Sequence, residues 1–202
     1  MGRHGDRYSA PLFSFVLMRI ISGAWRGQPL RVPKGVRATT DRVREAIFSI
    51  LGDARGLAVL DLYAGSGALG IEALSRGAVG AWFVDRSRSA LGVIEANLSG
   101  RTTPGVSLVR QDSLEFLRRA KSPFDWIFCD PPYSGVDFGE LMRAFSVSSA
   151  LGPDSLLILE ADRYHRINLP PDLTSIDQRK FGDTVIHFIR RADHSIQELH
   201  RA

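Results

Sequence analysis

The sequence predicts an α/β protein, with a mainly parallel sheet covered by helices on both faces and a short β-hairpin and helix ahead of it. Three observations carry this prediction. From Gly56 onward, five apolar runs alternate with segments of helical periodicity. The runs are near-continuously apolar, the pattern of strands buried on both faces. Finally, the last two strand-like segments have only Phe181-Gly182-Asp183 between them. That spacing allows a hairpin and no crossover helix, so the final strand runs antiparallel.

Residues 1–17 carry no periodicity and read as an extension or a misassigned start, with Met18 opening a better-formed segment. Ile20 to Val32 reads as two short strands turning at the Gly-rich middle. Thr39-Thr40-Asp41 is a helix N-cap cluster, and Val43, Ala46, Ile47, Ile50 and Leu51 recur on one helical face up to Gly52. The hairpin and helix occupy 18–52 and the α/β domain 53–202. Its strands are expected at Leu57–Leu62, Ala81–Asp85, Val106–Val109, Phe124–Cys129 and Ser155–Glu160, then Ser175–Lys180 and Thr184–Arg190. Helices over Leu69–Arg76, Ser87–Leu98, Leu114–Leu117 and Phe138–Phe145 connect the first five. This is a Rossmann-like plan.

Composition narrows the function classes. The chain has 202 residues, 44% hydrophobic and 24% charged, enough to bury a core without staples. Its single cysteine excludes disulfide scaffolds and thiolate zinc sites. The five histidines show no metal-ligand spacing, and no metal is expected. The longest apolar stretch, Pro11 to Ile21, is interrupted by Ser14 and Arg19 and falls short of the ~18 residues of a membrane span. A soluble, cytoplasmic monomer is the expectation. The net charge of +4 is unevenly placed: nine basic and three acidic residues lie up to Ile50, against 17 and 19 beyond it. A basic first quarter on a near-neutral body points to a polyanion gripped at one end.

The first sheet strand runs into Asp61-Leu62-Tyr63-Ala64-Gly65-Ser66-Gly67-Ala68-Leu69-Gly70. Its glycines match the G-x-G-x-x-G of dinucleotide sites, with Asp85 18 residues beyond Gly67. In such sites the loop amides meet a pyrophosphate, which the carboxylate of Asp61 would repel. An acid there suits a cation such as the ammonium of a methionine moiety. Asp85, ending the second strand, is placed for ribose hydroxyls, and Asp112, after the third, for an adenine amine. Gly65, Gly67 and these three acids fit S-adenosylmethionine better than a dinucleotide. Taken singly, Asp85 and Asp112 also read as helix N-caps.

The fourth strand ends in Asp130-Pro131-Pro132-Tyr133. Two prolines forbid helix and make the turn rigid. In a doubly wound sheet, strands one and four flank the point where strand order reverses, so this turn and the Gly65 loop are expected to face one crevice. Asp130 and the Pro131 carbonyl can each accept an N–H from an exocyclic amine, aiming its lone pair at a methyl donor. Such positioning contributes up to ~7–11 kcal/mol. Tyr133 is placed to stack on the base.

Asp130-Pro131-Pro132-Tyr133 resembles the [DN]-P-P-[FYW] motif of S-adenosylmethionine-dependent amino-group methyltransferases. Gly23-Ala24-Trp25-Arg26-Gly27, together with Arg37-Ala38-Thr39-Thr40-Asp41-Arg42-Val43-Arg44-Glu45-Ala46-Ile47-Phe48, resembles the bacterial 16S ribosomal RNA guanine-N2 methyltransferases of the RsmD type. The resemblance runs from Met18 to about Arg190. It implies a seven-stranded methyltransferase sheet and, as target, a guanine of 16S rRNA in the small ribosomal subunit or its assembly intermediate. It also gives the basic segment a role, with Arg26, Arg31, Arg37, Arg42 and Arg44 on phosphates and Trp25 for stacking. Two departures are Ala38, where the family has proline, and Gln28, often basic there.

A DNA adenine-N6 methyltransferase shares the tetrapeptide, and a non-catalytic RNA-binding assembly protein could keep the fold. Replacing Asp130 separates an enzyme from a binder, because only an enzyme loses turnover. Cys129, Trp82 and Trp126 read as core residues, and Arg190-Arg191 as solvated.

Overall fold

The computed structural model describes residues 15–33, 40–103, 105–132 and 135–193. The chain opens with β1 (Phe15–Arg19) and β2 (Pro29–Pro33), an antiparallel pair, followed by α1 (Asp41–Leu51). Then come β3 (Ala58–Leu62), α2 (Ala68–Ser75), β4 (Gly80–Asp85), α3 (Arg88–Leu98), β5 (Val106–Arg110) and α4 (Ser113–Arg119). The series continues with β6 (Trp126–Cys129), α5 (Phe138–Val147), β7 (Leu156–Asp162), β8 (Leu173–Phe181) and β9 (Thr184–Arg191).

The seven sheet strands lie in the order β5-β4-β3-β6-β7-β9-β8. Those from β5 to β7 pair in parallel, and β9 runs antiparallel to both its neighbours. As expected, the last strand is the reversed one. The chain walks outward from β3 to β5, then returns to β6 on the other side of β3. The carboxyl ends of β3 and β6 therefore flank the switch point, where open α/β sheets bind ligands.

Alternate strand residues serve two cores. Val59, Phe83, Phe128 and Ile158 face a layer containing the hairpin, α1, α2 and α3. Leu60, Val84, Ile127 and Leu157 face α4 and α5. Because both faces are covered, the central strands β3, β6 and β7 are near-continuously buried, whereas the edge strand β8 is mostly exposed. No helix among the described residues is long and apolar enough to cross a membrane.

The hairpin differs from expectation. Its first strand is Phe15–Arg19, so residues 15–17 belong to it rather than to an extension. Residues 20–28 form the turn, closed by the Gly27 N–H on the Ile20 carbonyl at 2.8 Å. In β2, buried Leu30 and Val32 alternate with exposed Pro29 and Arg31, a clear period of two. Across the pair, Val16 and Leu17 are both exposed, so β1 lacks the alternation that would reveal a strand.

The α1 face is also shifted. Val43, Arg44, Ile47 and Phe48 are buried while Ile50 is exposed. Phe48 packs on Trp126 and Phe128 of the sheet, which rolls the helix toward it.

Polar contacts fasten the hairpin to the sheet layer. The buried Glu72 carboxylate accepts the N–H groups of Ile21 (2.8 Å) and Ser22 (3.0 Å). Ser75 Oγ accepts from Trp25 N–H at 3.0 Å and donates to the Ser22 carbonyl at 2.6 Å. Asn97 on α3 takes both backbone groups of Arg31, at 2.8 and 3.0 Å.

Candidate active site

A crevice of about 800 Å³ opens at the switch point. Asp61, Gly65, Asp85, Asp112, Asp130 and Pro131 all line it, so residues from four strand ends meet in one cavity. Gly67 stands just behind, as the left-handed N-cap of α2.

Asp61 is 3% exposed, and its Oδ2 accepts the Gly70 N–H at 2.9 Å. That approach requires glycine at position 70, where a Cβ would lie 2.4 Å from the Phe83 ring and 3.1 Å from Asp61 Oδ2. Burial raises the Asp61 carboxyl well above its ordinary pKa, against the lowering effect of the Gly70 bond; the charges of Asp130 and Asp85 raise it further. Burial thus favours the protonated form of Asp61 unless an opposite charge is brought beside it.

Asp85 joins two loops. Its Oδ2 accepts from Gly65 N–H at 2.9 Å and its Oδ1 from Ser87 N–H at 2.8 Å. The N-cap of α3 is Ser87, so Asp85 instead braces the glycine loop. Asp112 does cap a helix, its Oδ1 accepting from Leu114 and Glu115 at 3.0 and 3.2 Å. Its Oδ2 accepts no hydrogen bond among the described residues, so capping leaves an acceptor toward the crevice.

Half-buried Asp130 and buried Pro131 end β6 on the opposite wall, while Tyr133 lies outside the described residues. Neighbouring Cys129 is buried, and burial, reinforced by Asp130 and Asp61, raises its thiol pKa well above the ordinary range. It is a neutral core residue, not a nucleophile.

The sequence did not reveal Tyr63, Arg86, Asp137 or Glu140, which also line the cavity. Tyr63 holds φ at 55°, a left-handed turn that costs a non-glycine residue roughly 1–3 kcal/mol. Burial raises its hydroxyl pKa, so it stays a neutral phenol. Its position immediately before the glycine loop was the only signal. Asp137 is the N-cap of α5, with Oδ1 accepting from Gly139 at 2.8 Å. Only folding brings it to the crevice.

Among the described residues, six carboxylates and the single guanidinium of Arg86 line the cavity. At an effective dielectric of about 20, one phosphate charge ~6 Å from one carboxylate costs about 3 kcal/mol. A pyrophosphate is therefore disfavoured, and a cationic ligand without phosphate is favoured. Among the described residues, no cluster of histidine, cysteine and acidic side chains could hold a metal.

On the hairpin side, Arg26, Arg31 and Arg42 are exposed, and Arg37 lies outside the described residues. Arg44 corrects its assignment to phosphate: it is fully buried, donating to the Arg19 carbonyl at 2.8 Å and to Asp41 at 2.5 Å. Glu72 lies 3.9 Å away. Burying a guanidinium requires such partners, and they tie α1 to the hairpin rather than to a ligand. Trp25 is half-buried against the first core, with the Arg101 guanidinium 5.7 Å from its ring. Two further readings change. Trp82 is 40% exposed between Phe116 and Phe124. Arg191, expected in solvent, binds the carbonyls of Leu151, Ser146 and Ser148 as well as Asp172.

Comparison with known proteins agrees with this architecture. The model of the family described as conserved hypothetical protein 95 matches residues 18–190. Ribosomal RNA small subunit methyltransferase D of Escherichia coli is 33% identical over 176 residues, covering 84% of this chain and 87% of that protein. The Haemophilus influenzae protein of the same name is 30% identical, covering 82% and 89%. A solved structure of a candidate methyltransferase from Escherichia coli superposes at a TM-score of 0.79 with 30% identity, covering 88% of this chain and all of that one.

Proposed function

The chain belongs to the family described as conserved hypothetical protein 95, that of the RsmD-type ribosomal RNA methyltransferases, and on that premise we propose that it methylates the exocyclic N2 of a guanine in 16S rRNA, with S-adenosylmethionine as donor. One observation carries the reading: the Asp130-Pro131 end of β6 and the Gly65 loop line the same acidic crevice at the switch point.

The crevice suits that donor. Its volume falls in the ~300–1,000 Å³ range of small-ligand sites. Its excess of carboxylates matches a molecule with an ammonium, a sulfonium and no phosphate. Asp61 would take the ammonium, Asp85 the ribose hydroxyls and Asp112 the adenine amine, beside the Gly65–Gly67 loop. Bound there, S-adenosylmethionine supplies an electrophilic methyl group.

The chain's own residues do the positioning. The Asp130 carboxylate and the Pro131 carbonyl each accept one N–H of the guanine amine, directing its lone pair into the crevice. The proline rings fix this turn in advance, so little entropy is lost on binding. No strong base is required, because the amine becomes acidic only after gaining the methyl. Tyr133 would stack on the extruded guanine, worth ~1–3 kcal/mol. Exposed Arg26, Arg31 and Arg42, with Arg37, would hold flanking phosphates. So few phosphate contacts favour the small subunit or its assembly intermediate, whose shape adds to recognition, over free RNA.

The test offers radiolabelled S-adenosylmethionine with unmethylated small subunits, naked 16S RNA and duplex DNA in parallel, followed by nucleoside analysis. N2-methylguanosine from the subunits is expected. N6-methyladenine from the duplex, or no label despite donor binding, would refute the proposal. Asp130→Ala should lower turnover roughly 100-fold or more while leaving donor affinity within a few-fold.

A further inference from the structure

A second groove, of about 300 Å³, lies between β2 and the C-terminal end of α3. Among the described residues it is lined by Leu17, Pro29, Arg31, Ala96, Asn97 and Arg101, two guanidiniums and no carboxylate. Among the described residues, neither arginine has an acidic partner. Arg76 and Arg191, half-buried elsewhere, are each paired with one.

Arg101 is held by neutral groups. It donates to the Pro29 carbonyl at 3.2 Å and lies over Trp25, and its buried Nε has no hydrogen-bond partner among the described residues. Burial lowers its pKa. A half-buried cation without a counter-ion is costly unless an anion arrives from outside. The apolar side of the groove is open as well, since Leu17 is 69% exposed. Charge for a phosphate beside apolar surface for a sugar or base is the chemistry of a nucleotide.

The groove adjoins the first site. Asn97, in its wall, donates to the carbonyl of Ser66 at 3.1 Å, and Ser66 lines the crevice. A single buried contact, Asn97 to Ser66, thus links the walls of the two cavities.

We propose that this groove binds a nucleotide flanking the target guanine, with Arg31 and Arg101 on its phosphate and Leu17 and Pro29 against its sugar or base. The proposal rests on the RNA methyltransferase reading above. It adds Arg101, a residue outside the basic N-terminal quarter, to the RNA surface.

The test measures affinity of the full-length protein for unmethylated small subunits and naked 16S RNA between 50 and 300 mM salt, alongside S-adenosylmethionine affinity and methyl transfer. Arg101→Gln and, separately, the exposed Arg31→Gln should each weaken RNA binding about 5- to 10-fold near 0.15 M salt. Each should reduce the slope of log affinity against log salt by about 0.7–1, with S-adenosylmethionine affinity unchanged. Arg101→Lys should keep most of the slope. Parental RNA affinity and slope in both glutamine variants, with methyl transfer intact, would overturn the groove proposal alone. Absence of RNA methylation by the parent protein would overturn the functional reading on which it rests.

Discussion

Replacing Asn97 with alanine should destabilise the protein by about 2–4 kcal/mol, although the side chain contacts neither proposed substrate group in the crevice. The amide is 3% exposed and makes three hydrogen bonds, accepting from Arg31 N–H at 2.8 Å and donating to the carbonyls of Arg31 (3.0 Å) and Ser66 (3.1 Å). Each such bond contributes about 0.5–1.5 kcal/mol net, and a backbone group left buried without a partner costs about 1–3. For a protein near 200 residues, that loss lowers Tm by roughly 5–15 °C. Asn97→Asp provides the sharper comparison. It is nearly isosteric and still accepts from Arg31, but it places a carboxylate against two carbonyl oxygens. At pH 7 it should be at least as damaging as alanine. Urea and thermal unfolding followed by circular dichroism give the stability, and hydrogen exchange at the Arg31 amide reports the local attachment. If both variants unfold within about 0.5 kcal/mol of the parent, apolar packing alone holds the hairpin and the argument is refuted.

Asp61→Asn should raise Tm at pH 7–8. Burial makes the folded protein hold the Asp61 proton more tightly than the unfolded chain does. Its contribution to stability is thus present below the ordinary carboxylate range and lost as pH rises through the raised value. The stabilisation should vanish below about pH 4, and S-adenosylmethionine affinity, by calorimetry, should fall at least about tenfold; an unchanged Tm at neutral pH would contradict the reading. Arg191→Met leaves the carbonyls of Leu151, Ser146 and Ser148 and the Asp172 carboxylate without their donor. It should cost about 3–5 kcal/mol in urea unfolding, with Arg191→Lys recovering less than half. Gly23→Ala would place a Cβ 1.9 Å from the Ser75 carbonyl oxygen at a φ of +83°. Gly27→Ala, at +79°, meets nothing within 4 Å. The first should lose about 3 kcal/mol or more and the second about 1; equal Tm changes would show that the hairpin does not seat on α2 as described.

Much of the fold was legible because strand and helix periods are local. The near-continuous apolar runs were sufficient for a two-faced sheet, and the three-residue gap before Thr184 was sufficient for the reversed strand. Where local pattern was ambiguous the reading slipped. β1 begins at Phe15, earlier than expected, and it was missed because Val16 and Leu17, both exposed, lack the alternation that β2 displays. Four of the six crevice acids, Asp61, Asp85, Asp112 and Asp130, were legible for a similar reason. Each stands within two residues of a strand's carboxyl end, and parallel α/β topology gathers those ends along one edge.

What the sequence by itself determined is therefore the order of elements, the reversed final strand and the line of strand ends where chemistry-bearing residues meet. Tertiary structure alone decided which charges are free to act. Arg42 and Arg44 stand two positions apart on one helix, yet one is exposed and the other fully buried. Glu72, whose partners Ile21 and Ser22 lie 51 and 50 residues away, became an anchor rather than a surface acid. Arg101 became a half-buried cation over Trp25, with no acid beside it among the described residues. The physical reason is common to all three. Backbone periodicity is set by neighbours in the chain, whereas the cost of a charge is set by whatever packs across from it, and distant residues supply that.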